Sequence, residues 1–224
     1  MATAEAKLKA QMPESKAKKA LHLPVRVPAE MQYNFFVTID GYVTDQEFDR
    51  LVQLNSEMRL ERTAEGLVEI MPPPKGDTGA KNSRITTQLT IWADENGTGI
   101  AFDSSSRFKL PNGATRSPDA SWVERSKLAA LSPKQKKEYF PFCPDFVIEL
   151  RSLTDRLPRL KEKMAEYIAN GARLAWLIDP IERKVYVYRP ESEVEEFENP
   201  ATVNADPILS GFTLHLAKIW EPDF

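Results

Sequence analysis

The sequence predicts a mixed α/β domain with a central β-sheet flanked by helices. Three observations lead there. Residues 58–63 and 67–71 are short strand-like runs around Ala64-Glu65-Gly66, a hairpin pattern. The apolar residues Ile85, Leu89 and Trp92 recur at helical spacing within 78–93. Phe146-Val147-Ile148-Glu149-Leu150 and residues 174–178 are apolar runs of strand length, and between them lies a helical stretch, 157–170.

The remaining elements follow in chain order. Thr44-Asp45-Gln46-Glu47 reads as a capping box opening a short helix to about Leu54. Phe35 to Ile39 has strand character ahead of it. Pro72-Pro73-Pro74 stops the second hairpin strand, and Gly97 and Gly99 end the helix that follows. Residues 99–102, 107–110 and 120–123 are short strands, with a turn at Pro111-Asn112-Gly113. Residues 126–139 are polar, rich in lysine and helical in character, broken by Pro133. Gly171 marks the C-cap after 157–170. Asp179 to Arg183 is a turn, 184–188 a strand, and 193–224 short β-like pieces ending near Ile219-Trp220. Residues 1–30, rich in Ala and Lys and then in Pro and Val, read as a flexible N-terminal arm, and 31–224 as one domain.

Bulk properties exclude several classes. With 42% hydrophobic and 28% charged residues the chain has a globular composition. It has no apolar run of membrane-spanning length, and its first 21 residues lack the apolar core of a secretory signal. Cys143 is the sole cysteine, which rules out an internal disulfide framework or a thiolate zinc cluster and suits a reducing cytoplasm; a small buried residue beside a strand is the expected role. His22 and His215 lie in no motif, so a histidine-rich metal site or a Ser-His-Asp arrangement has little support. A net charge of -3 is unlike that of a protein coating DNA over its whole surface. Nucleic-acid binding would need basic residues gathered in one place, or a bound cation.

The chemistry concentrates in 118–179. Glu149 interrupts a strand that otherwise belongs in a core, and a buried carboxylate needs a metal cation, a basic side chain or a proton. Asp119 opens the strand 120–123 after Pro118, thirty residues earlier. Two converging carboxylates repel unless a cation lies between them, and an all-oxygen site favours a hard cation, Mg2+ or Mn2+. An ordinary turn residue at Asp119, and an ion pair between Glu149 and a neighbour such as Arg151, are the structural alternatives. On the following helix Leu160, Met164, Tyr167 and Ile168 form an apolar stripe, and Lys163 lies about 60° from Leu160 at its edge. Such a lysine could orient or deprotonate an attacking water and stabilise developing charge, or belong to a solvated face. Arg159 lies further round the same side and Arg156 just before the helix.

Arg116-Ser117-Pro118-Asp119-Ala120-Ser121-Trp122-Val123, Cys143-Pro144-Asp145 through Arg151-Ser152, Lys163-Met164-Ala165-Glu166-Tyr167-Ile168, Gly171, and Trp176 to Pro180 together resemble the Uma-two family of restriction endonucleases within the PD-(D/E)XK superfamily. Residues 65–73 resemble its N-terminal hairpin and 209–212 its C-terminal turn, so the likeness spans roughly 58–220. The resemblance implies a restriction-endonuclease-like core with a mixed sheet, Mg2+-dependent cleavage of DNA, and a homodimer. Phe35, Phe36 and Trp220 are candidates for such an interface or for core packing. Carried over by position, Asp119 and Glu149 are the metal-binding acids. The superfamily's lysine would stand at Arg151, and arginine cannot act as a base; the resemblance therefore shifts that role to Lys163. Glu61, before the hairpin turn, is a further catalytic acid in this reading or else a surface strand carboxylate. Arg151, Arg156 and Arg159 are candidates for substrate contact. A catalytically weak DNA-binding or regulatory protein of the same fold is the alternative.

Overall fold

A computed structural model describes residues 43–56, 58–71 and 75–223. The N-terminal arm expected at 1–30, the strand character at 35–39 and His22 lie outside these residues. Everything described belongs to one compact unit, Asn34–Phe224.

The chain enters through helix α1 (Asp45–Leu54), capped as anticipated by Thr44: its hydroxyl accepts from the Glu47 amide while the Glu47 carboxylate accepts from the Thr44 amide. The hairpin follows, with β1 (Arg59–Arg62) antiparallel to β2 (Val68–Met71). Gly66, at φ 82°, supplies the left-handed conformation its turn needs. Helix α2 (Gly76–Asn96) is longer than the apolar period alone suggested and ends on left-handed Gly97. Next come β3 (Gly99–Asp103), β4 (Phe108–Lys109), β5 (Thr115–Arg116) and β6 (Ala120–Glu124). Then β7 (Phe146–Leu150), α4 (Leu157–Ala169), β8 (Leu174–Asp179) and β9 (Lys184–Tyr188) form the heart of the domain. The stretch 126–139 differs from expectation: it holds only a five-residue helix, α3 (Arg125–Ala129), and one 3-10 turn at Gln135–Lys137. Pro133 lacks an amide hydrogen and disfavours helical backbone at Ser132, so no continuous helix can cross it. The tail contributes β10 (Glu195–Glu198), β11 (Thr202–Asn204) and β12 (Thr213–His215), and closes with a helical turn, α5 (Ala217–Trp220), where β-like structure was expected.

The main sheet has the order β10-β9-β8-β7-β6-β3. Only β7 and β8 run parallel, joined over the sheet by α4; all other pairs are antiparallel. The sheet is therefore mixed, and its two faces are distinct. Phe146, Ile148, Leu150 and Trp176 face one way and pack with Ile85 and Leu89 of α2 and with Phe212, Leu214 and Ile219 from the tail. Val147, Ala175 and Leu177 face the other way and pack with Met164 and Tyr167 of α4. The alternation of β7 thus places Glu149 on the α4 side. A second, four-stranded sheet, β2-β1-β5-β4, carries the hairpin to the end of β6 and brings Glu61 and Arg116 to the α4 side of β7. That small sheet was not evident from the sequence, because β4 and β5 are two residues each and β5 meets β1 at a single registered pair, Arg62 and Thr115.

Candidate metal centre

In the β6–β7 register Ala120 faces Ile148 and Ser121 faces Val147. One step further along that register sets Asp119 opposite Glu149. Asp119 is nearly buried, and three elements reach it. Its Oδ2 accepts the Leu150 amide of β7 at 2.9 Å; its Oδ1 faces Arg59 Nη1 of β1 at 3.2 Å and Asn82 Nδ2 of α2 at 3.5 Å. Arg59 is fixed in turn by a hydrogen bond from Nη2 to the Ser117 carbonyl.

Glu149 is 4% exposed, and its Oε1 receives the Tyr167 hydroxyl at 2.8 Å and the Lys163 ammonium at 2.8 Å. Lys163 and Tyr167 are one helical turn apart, so a single face of α4 presents both donors. The same ammonium lies 3.0 Å from Glu61 Oε1, which also accepts the Ser117 amide at 3.0 Å. Arg116 Nη1 bridges Glu61 at 3.2 Å and Glu69 at 2.9 Å, while its Nε donates to Glu166 at 2.7 Å. Glu61 and Glu69 stand directly opposite each other on β1 and β2, a pairing that would be repulsive without this shared guanidinium. Arg159 adds a further ion pair to Glu69.

The environment drives the acids apart in strength. Burial pushes the Glu149 carboxyl upward, with the Asp119 and Glu61 charges adding to the effect against the pull of Lys163. Burial acts on Glu61 as well, but Lys163, Arg116 and Arg59 outweigh it and hold Glu61 below the ordinary glutamate range. Burial opposes the charge of Lys163, yet Glu149 and Glu61 prevail and raise its pKa. Lys163 is thus an ammonium in this state. It can orient a water and stabilise negative charge, but it carries no vacant lone pair with which to accept a proton.

Asp119, Glu149, Lys163 and Glu61, four residues singled out in the sequence, therefore converge. The arginines scatter. Arg159 joins the network through Glu69. Arg156, exposed at the N-cap of α4, stands at the head of the helix that carries Lys163. Arg151 makes a 2.6 Å ion pair with the fully buried Asp179 at the end of β8, so the neighbour expected to balance Glu149 balances another acid. Residues to which sequence reasoning gave no role in the site include Arg59, Asn82, Arg116 and Tyr167. Asn82 carried a legible signal, being an amide in the same helical stripe as Ile85 and Leu89. Cys143 is buried as expected, and burial pushes its thiol up to about 12, which leaves it inert.

The family model described as "Putative restriction endonuclease", Uma2, matches residues 45–217. The chain belongs to the Uma2 family. A solved structure of a "putative nuclease belonging to DUF820" from Anabaena variabilis is similar to this Uma2 protein, with a TM-score of 0.62 and 25% sequence identity over 72% of this chain and 89% of that one. No curated protein matches. The likeness agrees with the mixed, helix-flanked sheet and with a nuclease-like function.

No cluster of three or more His, Cys, Asp or Glu side chains placed to hold a metal exists among the described residues of this Uma2 protein. Two carboxylates and a buried, unpartnered oxygen do come together. The Oδ1 of Asn82 is out of solvent with no hydrogen bond, on the amide whose Nδ2 faces Asp119. An all-oxygen set of two acids and an amide fits a hard divalent cation. No described helix is long and apolar enough to cross a membrane.

Proposed function

We propose that this protein is a metal-dependent DNA endonuclease in which Asp119 and Glu149 hold Mg2+ or Mn2+, Lys163 assists, and Glu61 fixes Lys163. The observation that carries the reading is the Lys163 ammonium placed between Glu149 and Glu61, on the face where Asp119 and Glu149 meet. When bound, the cation would polarise the phosphodiester and neutralise the charge that builds on it. The chain's own residues do the rest. Lys163, locked by two buried carboxylates, presents a fixed positive charge where an anionic phosphorus centre would develop. Tyr167 keeps its proton, because burial and the charges of Glu149 and Glu61 raise its pKa, and so its hydroxyl fixes one Glu149 oxygen. Arg156 at the head of α4 and Arg159 along it are the basic side chains offered to a phosphate backbone, while Arg151 could join them only by giving up its ion pair with Asp179. The substrate class rests on the family likeness, and we take the working form to be a cytoplasmic homodimer.

The test is cleavage of plasmid DNA with Mg2+ or Mn2+ by wild type, Asp119→Ala and Glu149→Ala. The expected result is nicking by wild type and a loss of at least about 100-fold in each variant. Failure of the wild type to cut across pH, salt and metal conditions would overturn the catalytic reading. A second reading is a DNA-binding or regulatory protein with weak catalysis. It is favoured by Lys163 being protonated and Arg151 being tied to Asp179, so neither position open to the superfamily's lysine offers a free base. Its expected pattern is DNA affinity that falls steeply with salt and no turnover.

A further inference from the structure

We propose that Asn82 supplies a third oxygen ligand to the divalent cation at Asp119 and Glu149, an inference that rests on the metal reading above. Asn82 occupies a stripe position on α2 that otherwise carries Ile85, Leu89 and Ala93 into the core. Three and seven residues separate it from Ile85 and Leu89, so it lies on their face, one turn nearer the helix start. An amide there is turned inward, toward the end of β6. It gains little in return: Nδ2 makes one long contact to Asp119 Oδ1, at 3.5 Å, and Oδ1 is buried with nothing to accept from. A buried polar atom without a partner is unfavourable and uncommon, and at a candidate site it marks a missing group. A water or a cation would satisfy that oxygen, and the two acids beside it favour the cation.

A half-turn about χ2 exchanges the two amide atoms and points Oδ1 toward Asp119 Oδ1. Two oxygens facing each other repel, unless a cation stands between them. With a divalent ion there, Asp119 loses the contacts from Asn82 and Arg59 and gains the metal, while Arg59 keeps its bond to the Ser117 carbonyl. The orphaned oxygen becomes a ligand.

The charge balance leads to the same residue. Glu61, the nearest other acid, is already saturated: Oε1 by the Ser117 amide and Lys163, Oε2 by Arg116. Turning it to a metal would strip three partners, among them the Lys163 ammonium, whereas Asp119 gives up only Arg59 and the long Asn82 contact. A neutral amide oxygen therefore completes the set without adding a further buried charge to a network that already pairs Asp119 with Arg59 and Glu149 with Lys163.

The experiment is Mn2+ binding to the full chain by calorimetry, with free Mn2+ followed independently by electron paramagnetic resonance. The proteins are wild type, Asp119→Ala, Asn82→Ala, Asn82→Leu and Asn82→Asp, each with its metal-free melting temperature as a folding control. The inference expects Asn82→Ala and Asn82→Leu to bind Mn2+ about 10-fold more weakly or worse, with metal-free melting temperatures close to wild type. Asn82→Asp, which keeps an oxygen in place, is expected to match or exceed wild-type affinity. If Asp119→Ala loses binding while the Asn82 variants keep wild-type affinity, Asn82 is no ligand and the inference fails alone. If Asn82→Asp is as weak as Asn82→Leu, the oxygen is not what matters and the inference also fails. If wild type binds no Mn2+, or Asp119→Ala binds as well as wild type, the metal reading falls and takes this inference with it.

Discussion

Both faces of the central sheet carry an apolar cluster, but only one of them buries a charged network beside it. On the α2 side, Phe146 and Trp176 pack edge to face with ring centroids 4.8 Å apart, Trp176 stacks on Phe212 at 5.8 Å, and the side chains of β7 on that face are all apolar. On the α4 side, toward the end of the same strands, five carboxylates (Asp119, Glu61, Glu69, Glu149, Glu166) meet four basic groups (Arg59, Arg116, Arg159, Lys163). Both faces gain from removing apolar surface from water; the α4 side also places charges out of water, and these depend on their partners being present. One negative charge remains in excess, and it lies on the side where a cation is proposed. Stability comes from the apolar clusters on both faces, and the charged network on the second keeps an electrostatic balance that chemistry can use.

Replacing a central charge is the strongest way to break this contrast. Lys163→Met is expected to destabilise by roughly 3–5 kcal/mol, since Glu61 and Glu149 would be left buried against each other. Urea unfolding measures this, and a loss below about 1 kcal/mol would show that the network is solvated. On the α2 side, Phe212→Leu is expected to cost about 1–2 kcal/mol through the cavity it leaves, with Mn2+ affinity unchanged by calorimetry. A matching loss of metal affinity would mean that the two faces are coupled.

The pH dependence sharpens the contrast further. Glu149 has a folded pKa raised above its unfolded value, so between the ordinary glutamate range and that raised value the folded state binds more protons. Stability therefore falls as pH rises through this window toward neutrality. Glu61, with a lowered folded pKa, contributes the reverse: stability present above the ordinary glutamate range and lost as pH falls below it. Glu149→Gln is expected to remove the neutral-side decline. Without divalent cation at pH 8 it should melt higher than wild type by about 2–4 °C, on the order of 1 kcal/mol. Added Mn2+ should raise only the wild type. A lower melting temperature for the variant would mean that Glu149 is a net stabiliser and that the site stores no strain. The smallest effect belongs to the half-exposed Arg173–Glu124 pair at 3.2 Å, where Arg173→Gln is expected to cost below about 1 kcal/mol in the same unfolding assay.

What the sequence disclosed divides along the same line. The elements of the main sheet and its two long helices are written locally, in runs of apolar residues and in the capping box at Thr44. Asp119, Glu149 and Lys163 could be singled out because each sits in or beside a segment whose apolar pattern it interrupts. Arg59 and Arg116 could not. Their roles depend on pairings between residues 60 and 47 positions apart, and no local pattern distinguishes a strand arginine that faces an acid from one that faces water. The destination of Arg151 was equally hidden, because Asp179 becomes its neighbour only when β8 lies parallel to β7.

The hairpin has a consequence for how the site comes into being. Lys163 and Glu61 are 102 residues apart, and Arg159 and Glu69 are 90 apart. Contacts of such separation cost more loop-closure entropy than local ones. Until the hairpin docks, the acids and bases of the site stay hydrated and repel or attract one another weakly. The charged network is thus expected to assemble late in folding, and a brief lifting of β1 and β2, measurable as amide hydrogen exchange in the hairpin, is the local opening expected to admit water and ions to the buried carboxylates.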